Sequence, residues 1–138
     1  MQALILAAGM ATRLQPLTNN TPKCLLKLGD RPILDFMLSN LINQNITNLV
    51  MVTGFEALQI ENFVKEKFPQ INTIFVRNPD FANTNNAYSL LLAKKHIHGE
   101  FLLLDSDIIF DTRIIQSLKD FPSRPVLAAN VHPCGEEE

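Results

Sequence analysis

Cysteine is scarce in this chain: there are two in 138 residues, Cys24 and Cys134. They lie far apart and match no metal-ligand spacing, which points to free thiols and a cytoplasmic protein. An excess of positive charge is also missing. A net charge of −2 and a pI of about 5.9 disfavour a general nucleic-acid-binding domain, though not a local basic site. No apolar run approaches the ~20 residues of a membrane span, so no membrane partner is expected. The opening MQALILAAG has no basic segment ahead of its apolar stretch and reads as a first strand, not a signal peptide. Three catalytic or phosphate-binding signatures are absent: GxSxG, the P-loop Gly-Lys-Ser/Thr and the GxGxxG fingerprint. What remains is a globular balance, 46% apolar and 19% charged, in a length that suits one domain over residues 1–138.

Two patterns alternate along the chain. Strands are expected at Gln2–Ala8, Leu49–Thr53, Ile71–Val76, Phe101–Leu104 and Val126–Val131. Helices are expected at Ile33–Gln44, Glu56–Phe68, Ala87–His96 and Arg113–Phe121. The first helix shows the clearest stripe, with Ile33, Leu34, Met37, Leu38, Leu41 and Ile42 at helical spacing. Asp30 and Pro32 stand before it as start signals. The strands are continuous apolar runs rather than alternating ones, as strands covered on both faces should be. The expected class is therefore α/β, with a mostly parallel sheet and helices on both faces. In such sheets ligands bind beyond the carboxyl ends of the strands. Three polar segments fall there: Gly9–Pro22, Asn78–Asn86 and Asp105–Asp107. If the first and fourth strands are neighbours, the first loop faces the aspartates.

The residues in those segments suggest chemistry. Leu6-Ala7-Ala8-Gly9-Met10-Ala11-Thr12-Arg13 brings small residues to a turn, and Lys23 and Lys27 follow. Met1–Gly29 holds three basic residues and no acidic one. Backbone amides, a guanidinium and an ammonium suit a polyphosphate; the alternative is a plain tight turn with surface cations. Asp105 and Asp107, two apart at a strand end, point to one side by alternation and suit Mg²⁺; the alternative is helix capping by Asp107 or Asp111. Asn78, Asn83, Asn85 and Asn86 could read a base or sugar, or simply make turns. Cys24 reads as a small core residue. His96 and His98 read as solvated, as does the acidic 136–138 end, and His132 shows no role. Ser89 has no visible nucleophile partners.

The stretch LAAGMATRLQPLTNNTPKCLLKLGDRPILD, from Leu6 to Asp35, closely resembles the signature of the nucleotidyltransferases that activate sugar phosphates and phosphocholine. NPDFANTNNAYSL resembles the choline-phosphate cytidylyltransferase branch, and Asp105-Ser106-Asp107 resembles the family's metal-binding segment. Ala11 departs from the pattern, which often has a second glycine there. The resemblance implies a Rossmann-like, GT-A-like three-layer sandwich that transfers NMP from an NTP to a phosphorylated acceptor and releases pyrophosphate. CTP and phosphocholine are its implied substrates. By resemblance, Leu6, Ala7, Ala8, Gly9, Met10, Ala11, Thr12, Asn85, Asn86, Ser89 and Asp105 line the nucleotide. Arg13 would hold pyrophosphate, Lys23 the α-phosphate, and Asp107 the cofactor Mg²⁺. Family members are longer, so an acceptor-binding C-terminal half is expected to be lacking. CTP binding with little transfer by this chain alone is the corresponding expectation. An open edge after the fifth strand invites self-association. Two rival readings stand beside this one: a sugar-1-phosphate nucleotidyltransferase using UTP, GTP or dTTP, and a nucleotide-binding module without turnover.

Overall fold

The computed structural model describes residues 1–120 and 125–128. Strand β1 (Gln2–Ala7) is followed by a small antiparallel hairpin of β2 (Lys27–Leu28) and β3 (Arg31–Pro32). Then come α1 (Ile33–Asn43), β4 (Asn48–Thr53), α2 (Ala57–Lys67), β5 (Asn72–Arg77), α3 (Asn86–Ala93), β6 (Phe101–Asp105) and α4 (Thr112–Lys119). The main sheet is parallel and ordered β5-β4-β1-β6. The expected α/β class is what the structure shows. Val126–Ala128 belong to no strand among the described residues, and the rest of the expected fifth strand, 129–131, lies outside them, as do His132 and Cys134.

The order explains where the helices go. The chain steps one way from β1 to β4 to β5, then returns to the far side of β1 for β6. With one crossover hand throughout, reversing direction moves the connecting helix to the other face. Leu34, Met37, Leu38 and Leu41 of α1, Ile60 and Val64 of α2 and Ile115 of α4 accordingly pack on Ala3, Ile5, Ala7, Leu49 and Met51. Ala93 and Leu90 of α3 pack on Leu4, Leu6, Val50 and Val52 from the opposite side. Successive residues of β1 thus enter different layers, which is why its sequence is apolar without a break. Fully burying side chains such as Leu4 or Ile5 contributes roughly 1.5–3 kcal/mol each.

The start of α1 differs from the expectation. Pro32 occupies its N-cap position with no side-chain cap bond. Asp30 lies further back, in the hairpin turn beside Gly29, whose φ of +64° a side chain would resist. The β1–β6 boundary is the point where strand order reverses. Sheets of this kind leave a crevice at such a point, and here the loop after β1 and the turn after β6 flank it.

Candidate active site at the β1–β6 boundary

The loop after β1 closes on one carbonyl. Ala11 adopts φ 50° and ψ 48°, in the left-handed region, and the chain then makes a 3₁₀ turn over Thr12–Leu14. The Ala11 carbonyl accepts from the Leu14 amide at 3.0 Å and from the Thr18 hydroxyl at 2.9 Å. Thr18 is buried, so the loop is tied to the body while Thr12 and Arg13 stay exposed. The left-handed bend costs an alanine about 1–2 kcal/mol, a cost glycine escapes. Gly9 itself has no left-handed backbone, and a Cβ there would meet nothing within 4 Å.

Lys23 and Asp107 meet across the crevice. Lys23 opens a 3₁₀ turn, Lys23–Leu25, whose middle residue, Cys24, is buried in the α1-side core. Burial pushes the Cys24 thiol up to about 12, with a smaller push from the Asp107 charge. It is a protonated core residue, as its apolar neighbours suggested. From this anchored turn Lys23 Nζ donates to Asp107 Oδ2. The two side chains are 36% and 32% exposed, a pair half open to solvent. The Ser106 amide donates to the Leu6 carbonyl at 3.2 Å, pinning the aspartate segment to β1.

Asp105 has a different partner. Strand β6 ends at Asp105, and Asp107 lies in the turn beyond it. Strand alternation therefore does not carry from one aspartate to the next. Asp105 Oδ1 accepts from Asn86 Nδ2 at 3.0 Å, from the α3 layer, whereas Asp107 is met by Lys23 from the segment ahead of α1. Neither aspartate caps α4; Asp111 does, its side chain accepting from the Arg113 amide.

The third polar segment is organised by asparagine side chains. Asn85 is the N-cap of α3 and accepts from the Ala87 and Tyr88 amides at 3.1 and 3.3 Å. Asn78 is buried; its Nδ2 donates to Thr84 Oγ1 at 2.9 Å and to Ser89 Oγ at 3.2 Å, and its Oδ1 accepts from the Asp80 amide at 3.0 Å. Ser89 is buried with it, beneath the loop. Asn83 bonds the Asp80 carboxylate at 2.7 Å. Of the four asparagines, only Asn86 reaches an aspartate of the β6 end.

The Nucleotidyl transferase family pattern matches residues 2–131. The chain belongs to that family. It is 38% identical over 120 residues to the bifunctional protein GlmU of Methanococcus aeolicus, covering 87% of this chain and 28% of that protein. It is 33% identical over 110 residues to the choline-phosphate cytidylyltransferase of Streptococcus pneumoniae, covering 80% and 46%. The solved CTP:phosphocholine cytidylyltransferase of S. pneumoniae superimposes with a TM-score of 0.69 at 35% identity, over 77% of this chain and 44% of that one. The inositol-1-phosphate CTP transferase of T. maritima gives a TM-score of 0.76 at 22% identity, over 90% and 49%, and shares the fold. The chain spans less than half the length of the relatives just described. The Rossmann-like, GT-A-like sandwich of this family is the fold described above.

Two residues that were given no role from sequence support the loops of this nucleotidyl transferase fold. Gly54 follows β4, and a Cβ there would fall 2.6 Å from Phe81 Cβ and 2.7 Å from the Ala8 carbonyl oxygen. The missing side chain lets the Phe81 segment close over the end of β1, while the Phe55 amide donates to Ala8 O at 3.0 Å. Thr18 is the other. Gly54 looks like an ordinary loop residue in sequence because Phe81 and Ala8 are distant along the chain, whereas Thr18 lies within the signature stretch and bonds Ala11 only seven positions away. No helix among the described residues is long and apolar enough to cross a membrane.

Proposed function

We propose that the crevice binds the triphosphate of CTP and supports transfer of the cytidylyl group to a phosphorylated acceptor of the phosphocholine class. One observation carries the reading: Lys23 and Asp107, 84 positions apart, meet where the strand order reverses, beside the loop bearing Arg13. The resemblance of residues 78–90 to the choline-phosphate branch, and the cytidylyltransferase relatives, support the choice of CTP.

The chemistry requires little beyond positioning and charge. An oxygen of the acceptor phosphate attacks the α-phosphorus, the bond from that phosphorus to the bridging oxygen breaks, and pyrophosphate departs with the electron pair. A phosphate monoester has a second pKa of ~6, so at neutral pH it attacks without a general base. Arg13 on the exposed 3₁₀ turn holds the β- and γ-phosphates, and Lys23 neutralises the α-phosphate. Asn86 and the Ala8 end of β1 face the nucleoside. Residues 6–107 thus carry the nucleotide half of the site.

Family members generally use a divalent metal. No group of three or more metal-ligating side chains converges among the described residues. A half-exposed carboxylate such as Asp107 nevertheless fits Mg²⁺, which takes one or two protein oxygens and completes its shell with water and phosphate. Bound there, Mg²⁺ supplies charge neutralisation for the phosphates.

Calorimetry with CTP tests the site. Arg13→Ala and Lys23→Ala are each expected to weaken binding by about 1.5–3 kcal/mol, the worth of hydrogen bonds to charged groups. Unchanged affinity in both would overturn the assignment. Pyrophosphate release across CTP, UTP, GTP and dTTP, with phosphocholine and sugar 1-phosphates as acceptors, tests the substrate choice. Preference for UTP with a sugar phosphate would move this chain to the sugar-nucleotide branch.

A further inference from the structure

Lys23 and Asp107 are each assigned above to a bound partner, the lysine to phosphate and the carboxylate to a divalent cation. In the structure they are bonded to one another. Lys23 takes only one of the two Asp107 oxygens, but an ammonium and a divalent cation on one carboxylate repel each other and divide its single negative charge. The backbone of Lys23 is held by buried Cys24 and by the Leu25 amide, which donates to the Pro22 carbonyl at 2.8 Å. Only its four-carbon stem is free to swing, and both ends of the pair are reachable from solvent.

We propose that Lys23 is a built-in competitor for the metal seat: its ammonium occupies Asp107 in the nucleotide-free protein, and incoming phosphate draws it off and opens the carboxylate. The inference rests on the proposed nucleotide site. It makes nucleotide and metal binding mutually reinforcing through one side chain. By linkage, each ligand must raise the affinity of the other by the same factor. It also weakens divalent-cation binding before nucleotide arrives. A lysine serving only to tie two loops together would leave this coupling unaltered when removed.

Mn²⁺ binding, read by electron paramagnetic resonance of the free ion, tests this without any activity measurement. In the absence of nucleotide, Lys23→Gln is expected to bind Mn²⁺ about threefold to fivefold more tightly than the native protein, the range that removing a half-exposed ion pair can give. Lys23→Met should repeat that gain, and Lys23→Arg should abolish it. The factor by which CTP raises Mn²⁺ affinity should fall correspondingly in the Gln and Met variants. Equal or weaker Mn²⁺ binding in both of those variants overturns the inference, provided Asp107→Asn removes Mn²⁺ binding from the nucleotide-free Lys23→Gln protein. If Asp107→Asn leaves that binding intact, the metal assignment itself fails, and the inference with it.

Discussion

Ala11 holds a backbone conformation that its own side chain disfavours. Its φ of 50° is imposed by the two bonds that converge on its carbonyl, from Leu14 and Thr18. Ala11→Gly is therefore expected to stabilise the fold by about 1 kcal/mol, relief of left-handed strain less the extra chain entropy of glycine. Urea denaturation checks it; a lower midpoint would show that the Ala11 methyl is useful where it stands. At Asp111 the issue is protonation. Hydrogen bonds from the Arg113 side chain and amide pull its carboxyl from 3.8 down to about 2. A depressed folded pKa contributes stability that is whole above the unfolded value and fades as pH falls toward the folded one. The Asp111–Arg113 cap at α4 should thus persist at pH 4 and weaken toward pH 2, read as a carboxyl ¹³C titration with its midpoint near 2. The basic loop and the aspartates were legible as residues. Their pairing was not: Lys23 with Asp107 and Asn86 with Asp105 depend on which layer each loop descends from, which residue types do not encode.

At the scale of elements, the loops are held by their neighbours more than by themselves. Gly54→Ala places a methyl against Phe81 and the Ala8 carbonyl, so the segment after β5 must move off the end of β1. A loss of about 1–3 kcal/mol in folding stability is expected from such overpacking. Weaker CTP binding should accompany it, since the Ala8 end of β1 forms part of the proposed pocket. An unaltered midpoint in chemical denaturation would show that the loops do not depend on this contact. Asn78→Ala should cost a similar amount in the same denaturation, because it strands the buried Ser89 hydroxyl and leaves Thr84 Oγ1 with its bond to the Asp80 carbonyl alone. The four strands of the main sheet and the four helices within 1–120 were readable, since hydrophobic period and turn residues agree there. The β2–β3 hairpin escaped it: two-residue strands are too short to show a period. Asn85 and Asn78 illustrate a further limit. Cap, loop staple and base reader all call for an asparagine, and only the partner distinguishes them.

On the scale of the whole molecule, Cys24 reports on integrity. Its thiol is buried and its pKa is pushed up to about 12, so it offers almost no thiolate at neutral pH. In a Cys134→Ser background a maleimide should label Cys24 only as fast as the protein opens, and at once in denaturant. Rapid labelling of the folded protein would mean that the segment carrying Lys23 detaches by itself. The sheet order also sets a sequence in time. Gln2 lies beside Phe101 and Ala3 beside Leu49, so β1, the first strand made, is completed only when Phe101–Asp105 arrives. At about 5–20 residues per second of synthesis, that wait lasts on the order of 5–20 s. Throughout it, one edge of the most apolar strand has no partner, a state in which a nascent chain depends on folding helpers or on slow collision with its neighbours. The crevice that joins Lys23 to Asp107 likewise cannot form until Phe101–Asp107 has been made.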